Sequence, residues 1–139
     1  MKASRAGFRR ELGSLDGVFR FLGEFADAVG VDERTALCID LVVEELFTNM
    51  VKYNDGGGDQ IVVGLERIGD RLHIELVDND VEPFDPAGVP DPAVAAGIAD
   101  RRPGGLGLHL VRSMVDDLHY EYEPETRQMR VSVTKVLEN

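Results

Sequence analysis

Two helical stripes dominate the first third of the chain. From Leu15 to Val29, apolar residues recur three or four positions apart, which is the spacing of one helix face. Gly30 is predicted to end this helix, because glycine readily takes the left-handed conformation of a helix end. Asp32 is a good N-cap for a second helix that runs to about Tyr53. The positions of this second helix that we expect in the core are Ala36, Ile39, Val43, Leu46, Phe47 and Met50.

Strand patterns surround one further helical stretch. Residues 60–66 and 71–78 alternate like two strands, joined at Gly69-Asp70 in a hairpin. Residues 5–12 predict a short edge strand, and residues 106–117 a helix. Residues 118–123 and 128–137 predict a closing hairpin that turns at 124–127. Early helices followed by strands, one helix and more strands favour an α+β sandwich of two layers.

The bulk properties bound the class of protein. A chain of 139 residues with 43% hydrophobic and 29% charged residues is typical of one globular domain. No run is apolar enough for a membrane helix, and no signal peptide is expected. Cys38 is the only cysteine, so we expect a reducing, cytoplasmic location.

The net charge of −11 argues against nucleic-acid binding, which needs clustered Lys and Arg. The acidity serves solubility or, alternatively, attracts a basic protein partner.

Glu45 and Asn49 lie one turn apart on the second helix, on a strip beside its apolar face that also contains Val42. A carboxylate and an amide are expensive to bury without partners. The amide oxygen of Asn49 suits Mg²⁺, which prefers oxygen ligands and often takes others from phosphates. Glu45 could accept a proton from an attacking hydroxyl or water. A polar pair on the helix surface would explain the same residues, and Glu44 is expected to be solvated or structural.

Asp78 ends the inward face of a predicted strand. The other positions of that face are apolar: Leu72, Ile74 and Leu76. A carboxylate at this point could accept a hydrogen bond from an exocyclic amine such as that of adenine. The alternative is that Asp78, Asn79 and Asp80 simply form a turn.

A glycine-rich run follows a long segment without a clear period. Residues 79–104 are rich in proline, glycine and alanine, and predict a functional loop or lid, with a possible short helix at 94–100. The run itself consists of Gly104, Gly105, Leu106, Gly107 and Leu108. Glycines at a helix N-terminus let the backbone approach a phosphate closely, and the neighbouring Arg101 and Arg102 either contact it or are solvated. Alternatively, the glycines form only a flexible segment that leads into a helix N-terminus, with no role in phosphate binding.

Other chemistry finds little support in the sequence. His73, His109 and His119 form no metal-binding spacing with Cys38. The chain also lacks the P-loop pattern and the nucleophile elbow of hydrolases.

Taken together, these motifs resemble those of the GHKL ATPase superfamily, which has the Bergerat ATP-binding fold. Residues 45–49 resemble its N-box, residues 78–86 its first glycine box with a Pro-Phe-Asp-Pro tail, and residues 104–108 its second glycine box. The chain is most similar to bacterial anti-sigma-factor serine/threonine kinases. The resemblance implies a single ATP-binding domain over residues 1–139, with helices on one face of a mixed, mostly antiparallel sheet.

Carried over residue by residue, the resemblance implies Glu45 as catalytic base and Asn49 as magnesium ligand. It implies Asp78 as the adenine contact. It places Gly105 and Gly107 in a phosphate-binding lid. The other residues assigned to the nucleotide site are Asp80, Gly104, Leu106 and Leu108.

Such kinases transfer the γ-phosphate of ATP to an anti-anti-sigma antagonist and otherwise sequester a sigma factor, commonly as dimers. Two regions depart from the pattern. Asp80 stands where the first box usually has glycine. The distance from Asp78 to Phe84 is also one residue longer than in the usual pattern. Lys52 and Tyr53 stand where a histidine is frequent. The Asp80 departure motivates the alternative of a nucleotide-dependent binding module without phosphotransfer. A fragment of a sensor histidine kinase is disfavoured, because the chain has no room for a dimerisation helix pair.

Overall fold

The computed structural model describes residues 2–53, 59–79, 81 and 111–137. Its elements are β1 (Lys2–Arg9), a 3₁₀ turn (Leu12–Ser14), α1 (Leu15–Val29), α2 (Glu33–Tyr53), β2 (Gln60–Ile68), β3 (Arg71–Asp78), β4 (Asp117–Glu123) and β5 (Gln128–Val136). The strands form a five-stranded sheet in the order β1-β2-β3-β5-β4, and each described pairing is antiparallel. The predicted α+β class is confirmed.

Both long helices begin and end where the sequence predicts. Gly30 ends α1 with a φ of 76°, the left-handed conformation that glycine adopts without a Cβ penalty. Arg67 of β2 donates to the Val29 carbonyl at the same helix end. At the start of α2, the Asp32 carbonyl accepts the Ala36 N–H at 2.9 Å. The Thr35 hydroxyl donates to the Asp32 carboxylate and lowers its pKa, as expected for a cap.

One core lies between the helices and the inner face of the sheet. Strand alternation decides which side chains enter it, because successive residues point to opposite faces. From the helices it receives Val18, Leu22, Phe25, Ile39, Val42, Val43, Leu46, Phe47 and Met50, and from the central strands Ile61, Val63, Leu72, Ile74, Leu76, Met129, Val131 and Val133. Ala36, expected in this core, is only half-buried, whereas Val42 is fully buried.

The edge strand β1 differs from its predicted bounds of 5–12. It begins at Lys2 and stops at Arg9, because the backbone then turns: the Arg10 N–H donates to the Asp59 carbonyl at 3.0 Å. Phe8 contacts Phe21 of α1 with ring centroids 5.7 Å apart, which holds the edge strand against the helix layer.

The helix predicted over residues 106–117 ends earlier in the structure than the sequence indicated. Residues 111–114 are helical, but Asp117 already belongs to β4. Hydrogen bonds to β5 explain the earlier end, because the Asp116 N–H donates to the Thr134 carbonyl at 3.0 Å and the Asp116 carboxylate accepts the Val136 N–H at 2.6 Å. The predictions for 82–110 lie outside the described residues, and so does the loop at 54–58.

Candidate functional site

Asn49 and Asp78 stand out from the rest of the described core. They are its two buried polar side chains, exposed by only 2% and 0%. Buried polar groups are costly without partners, so both positions need a physical reason. Both lie at positions that the sequence analysis singled out: Asn49 on the polar strip of α2, and Asp78 at the end of the inward face of β3.

On α2, Asn49 is held by the helix itself and by its neighbours in the core. Its side-chain amide donates to Glu45 Oε1, with Nδ2 and the oxygen 3.4 Å apart. Phe47 and Met50 on either side are almost completely buried and fix the orientation of this turn. The amide nitrogen therefore faces Glu45, and the amide oxygen is the atom of Asn49 that remains to serve as a ligand.

Glu45 is a carboxyl group at the edge of the core. Burial raises its pKa above the ordinary 4.5; the hydrogen bond from Asn49 lowers it, the nearby Glu44 raises it and Lys52 lowers it. The net direction is upward, which favours the neutral form more than for a solvated glutamate. A carboxylate with a raised pKa is a better proton acceptor at neutral pH, as general-base catalysis requires.

Asp78 completes a row of residues across the sheet. Phe8, Ile61, Asp78 and Met129 are consecutive register partners on β1, β2, β3 and β5. Asp78 forms an ion pair with Arg10, whose side chain is exposed by only 11%. The neighbouring Asn79 accepts a hydrogen bond from Gln128 at 3.0 Å. Asp78 is therefore a buried residue of β3 with a cationic partner, and it is not itself part of a turn.

Arg10 is the residue that sequence reasoning missed. Its Nη1 donates to the Met50 carbonyl at 3.2 Å, while Nη2 contacts Asp78. Burial lowers the pKa of this guanidinium. The available signal was strand alternation: Arg10 follows Phe8 by two positions at the end of an edge strand, so the two side chains are expected on the same face. That signal becomes informative only when the strand register places Phe8 in the row of Asp78.

The chain beyond Asp78 is held against the β4–β5 hairpin. Val81 is exposed by only 2%. Its N–H donates to the Arg127 carbonyl at 3.1 Å, and its own carbonyl accepts the Tyr122 hydroxyl at 2.8 Å. These bonds hold Val81, which lies within the predicted first glycine box, against the hairpin.

The remaining predicted site residues lie outside the described part of the chain: Asp80, Gly104, Gly105, Leu106, Gly107 and Leu108. Of the predicted site residues, the structure places Glu45 beside Asn49. Asp78 is linked to α2 through Arg10, which contacts Asp78 and the carbonyl of Met50.

A small apolar cavity exists elsewhere in the helix layer. It measures about 40 Å³ and is lined by Leu22, Phe25, Ile39 and Leu72, with Asp40 beside them. It contacts the N-terminal half of α2, away from Glu45 and Asn49, and is too small for a nucleotide.

The chain matches a known protein family over most of its length. Residues 8–135 match the family described as histidine kinase-like ATPase domain. The chain belongs to this family. The match contains the whole of the Glu45–Asn49 strip and Asp78, and membership implies that the domain binds ATP. No curated protein gives a significant match.

Solved structures support the same fold. The RsbU and RsbW domains of Rv1364c from Mycobacterium tuberculosis match with a TM-score of 0.71 at 15% identity, over 100% of this chain and 33% of that one. A chain of the SiaB-SiaC complex from Pseudomonas aeruginosa matches with a TM-score of 0.63 at 16% identity, over 96% and 89%. The histidine kinase AdeS of Acinetobacter baumannii gives 0.51 at 10% identity, over 100% and 70%.

The present chain thus spans about a third of the Rv1364c chain. In the stretches that the structure describes, no helix combines the length and the apolarity needed to cross a membrane.

Proposed function

We propose that this protein is an ATP-dependent serine/threonine kinase that regulates a sigma factor by phosphorylating an anti-anti-sigma antagonist. The observation that carries the proposal is the buried Asn49, hydrogen-bonded to Glu45 on the helix that Arg10 links to Asp78. Membership of the histidine kinase-like ATPase family supports ATP as the phosphoryl donor. The likeness to the RsbW and SiaB-SiaC structures supports an antagonist protein as the class of partner.

In this proposal Asp78 recognises the base. A carboxylate accepts hydrogen bonds only, so it favours a base that offers an exocyclic amine, as adenine does. Its burial makes the contact selective, because a ligand group that cannot donate there would leave the carboxylate less well satisfied. Asp80 and the residues Gly104, Gly105, Leu106, Gly107 and Leu108 are proposed to enclose the phosphates.

Asn49 fits a magnesium ion that is shared with the phosphates. Its amide oxygen is a hard ligand, and its orientation is fixed by the bond from Nδ2 to Glu45. In the described residues, no group of three or more His, Cys, Asp or Glu side chains could hold a metal. A protein that supplies one or two oxygen ligands relies on the phosphates for others, which is the usual arrangement for Mg²⁺. The ion would neutralise charge on the phosphates during transfer.

Glu45 is proposed to act on the protein substrate. Its carboxylate takes the proton from a serine or threonine hydroxyl while that oxygen bonds to the γ-phosphorus. The bond from the γ-phosphorus to the bridging oxygen of ADP breaks in the same displacement, and ADP leaves with its electron pair. Positioning and charge neutralisation supply most of such a rate enhancement, so the rigid α2 strip is the main contribution of this chain.

Partner binding completes the proposal. In the absence of antagonist the protein is proposed to hold a sigma factor in the cytoplasm, as a homodimer. The formal net charge of −11 favours protein partners over nucleic acid.

Calorimetry in magnesium buffer tests the nucleotide site first. We expect ATP to release binding heat with the wild-type protein and Asn49→Ala to weaken binding, whereas Thr48→Ala, the neighbouring half-buried position, serves as the control. Circular dichroism checks that each variant is folded. A folded wild-type protein that binds no ATP would overturn the proposal.

A pull-down with and without ATP, followed by incubation of the recovered partners with γ-labelled ATP, tests the kinase activity. Phosphoserine or phosphothreonine on a partner supports the proposal. A partner that is bound in a nucleotide-dependent way but stays unlabelled identifies the alternative, a binding module without phosphotransfer.

A further inference from the structure

Arg10 connects three elements that are distant in the sequence. Its backbone N–H donates to the Asp59 carbonyl just before β2, at 3.0 Å. Its guanidinium contacts Asp78 at the end of β3 and donates to the Met50 carbonyl in α2 at 3.2 Å. With only 11% of its side chain exposed, Arg10 is a component of the interior and not a surface cation.

We propose that Arg10 is a positioning residue for base recognition: it keeps the Asp78 carboxylate ionised and oriented, and it fixes that carboxylate to the turn of α2 that presents Asn49. The inference deepens the proposed function and rests on it, since it takes Asp78 as the acceptor of the adenine amine. The Arg10 guanidinium has no role in the proposed function itself.

Burial is the first reason. A carboxylate that is 0% exposed retains its charge only if a cation or several donors compensate the lost hydration. Arg10 supplies such a cation from the turn that follows β1, which is separated from β3 by β2. A charged acceptor bonds an amine roughly twice as strongly as a neutral one, so the contribution of Asp78 to base selection depends on the presence of Arg10.

Geometry is the second reason. A guanidinium is planar and has five donors in a fixed fork, so it can hold two acceptors at a set separation. Here the two acceptors are the Asp78 carboxylate and the Met50 carbonyl. Met50 directly follows Asn49, so the group that selects the base and the group that meets the phosphates are held in one rigid unit. A lysine retains the charge but offers no planar fork.

The neighbouring Arg9 provides a matched control. It carries the same charge one position earlier, but its side chain lies on the exposed side of β1. Arg9→Met and Arg10→Met therefore remove the same charge from adjacent positions, and only the second removes the bridge between Asp78 and α2.

The test compares two ligands by calorimetry in magnesium buffer: ATP, and purine riboside triphosphate, which lacks the exocyclic amine. We expect the wild type and Arg9→Met to prefer ATP by about 10- to 100-fold, the range of a hydrogen bond to a charged group. Arg10→Met is expected to lose most of this preference. Arg10→Lys is expected to retain an intermediate preference, which a purely structural effect on stability would not produce.

A double substitution shows whether Arg10 acts through Asp78. In the Asp78→Asn background the buried carboxylate is gone, so adding Arg10→Met should cause no further loss of preference. That double variant also keeps the test valid if Arg10→Met alone does not fold, because it removes the carboxylate that Arg10 compensates together with Arg10 itself. A further loss in the double variant would overturn the inference.

The two levels of the proposal fail in different ways. If Arg10→Met keeps the wild-type preference, or binds ATP more tightly, Arg10 is not a positioning residue, and the proposed function is unaffected. If the wild type binds neither triphosphate, the proposed function itself fails. If it binds both equally, Asp78 does not read the amine and the inference fails with that assignment.

Discussion

Replacing Glu45 by glutamine removes a proton acceptor and changes almost nothing else. Glutamine has the same shape, and its side-chain oxygen can still accept the hydrogen bond that Asn49 donates to Glu45 at 3.4 Å. We therefore expect Glu45→Gln to fold and to bind ATP as the wild type does. The rate of phosphoryl transfer should fall by about 10²- to 10⁴-fold, the usual contribution of a positioned general base.

The pH dependence gives the same prediction a second readout. Glu45 acts as a base only when ionised, and its pKa is raised above 4.5 by burial, with Glu44 adding to the shift. The rate in the wild type should therefore fall, as the pH decreases, at a higher pH than an ordinary glutamate would give. Glu44→Gln removes a like charge and should move this acid limb to lower pH. Lys52→Met removes a favourable charge and should move it to higher pH.

The assay is single-turnover transfer from saturating ATP to the purified antagonist, measured across this pH range at constant ionic strength. At a pH above the acid limb, where its effect on the pKa of Glu45 no longer changes the rate, Glu44→Gln is the matched control, because it changes the same residue type at the adjacent position. Transfer by Glu45→Gln within a few-fold of the wild type would refute the role of base. So would acid limbs that stay in place when Glu44 and Lys52 are replaced.

Two further predictions concern the fold that holds the site. Gly30→Ala should destabilise the protein by about 1–2 kcal/mol, because φ is 76° there, whereas the exposed Gly23→Ala in the middle of α1 should stabilise it by about 0.5–1 kcal/mol. Urea unfolding measures both, and equal effects would contradict the role of the left-handed cap. Phe47→Ala should cost about 3–5 kcal/mol, since Phe47 is completely buried in the core, and the exposed Leu37→Ala should change stability by less than about 0.5 kcal/mol. Similar melting temperatures for these two variants would contradict the expected contribution of Phe47 to the core.

Periodicity predicted the helices and the β2–β3 hairpin well because the signals are local. An apolar stripe, the cap at Asp32 and the glycine at Gly30 each act within a few residues, and the bounds of α1 and α2 agree with them. The helix predicted over 106–117 failed at its end for the opposite reason. Hydrogen bonds between Asp116 and β5 compete with helix formation, and local periodicity carries no information on a partner strand.

The sequence by itself determined the polar positions of the candidate site: a carboxylate and an amide one turn apart on α2, and an aspartate ending an apolar strand face. Only the tertiary structure decided how completely Asn49 and Asp78 are buried and that Arg10 is a partner of Asp78. Arg10 and Asp78 are far apart in the chain, and they meet because β1 and β3 both pair with β2 in one register. Such a contact depends on the packing of whole strands and helices, so no short sequence pattern around Arg10 could reveal it.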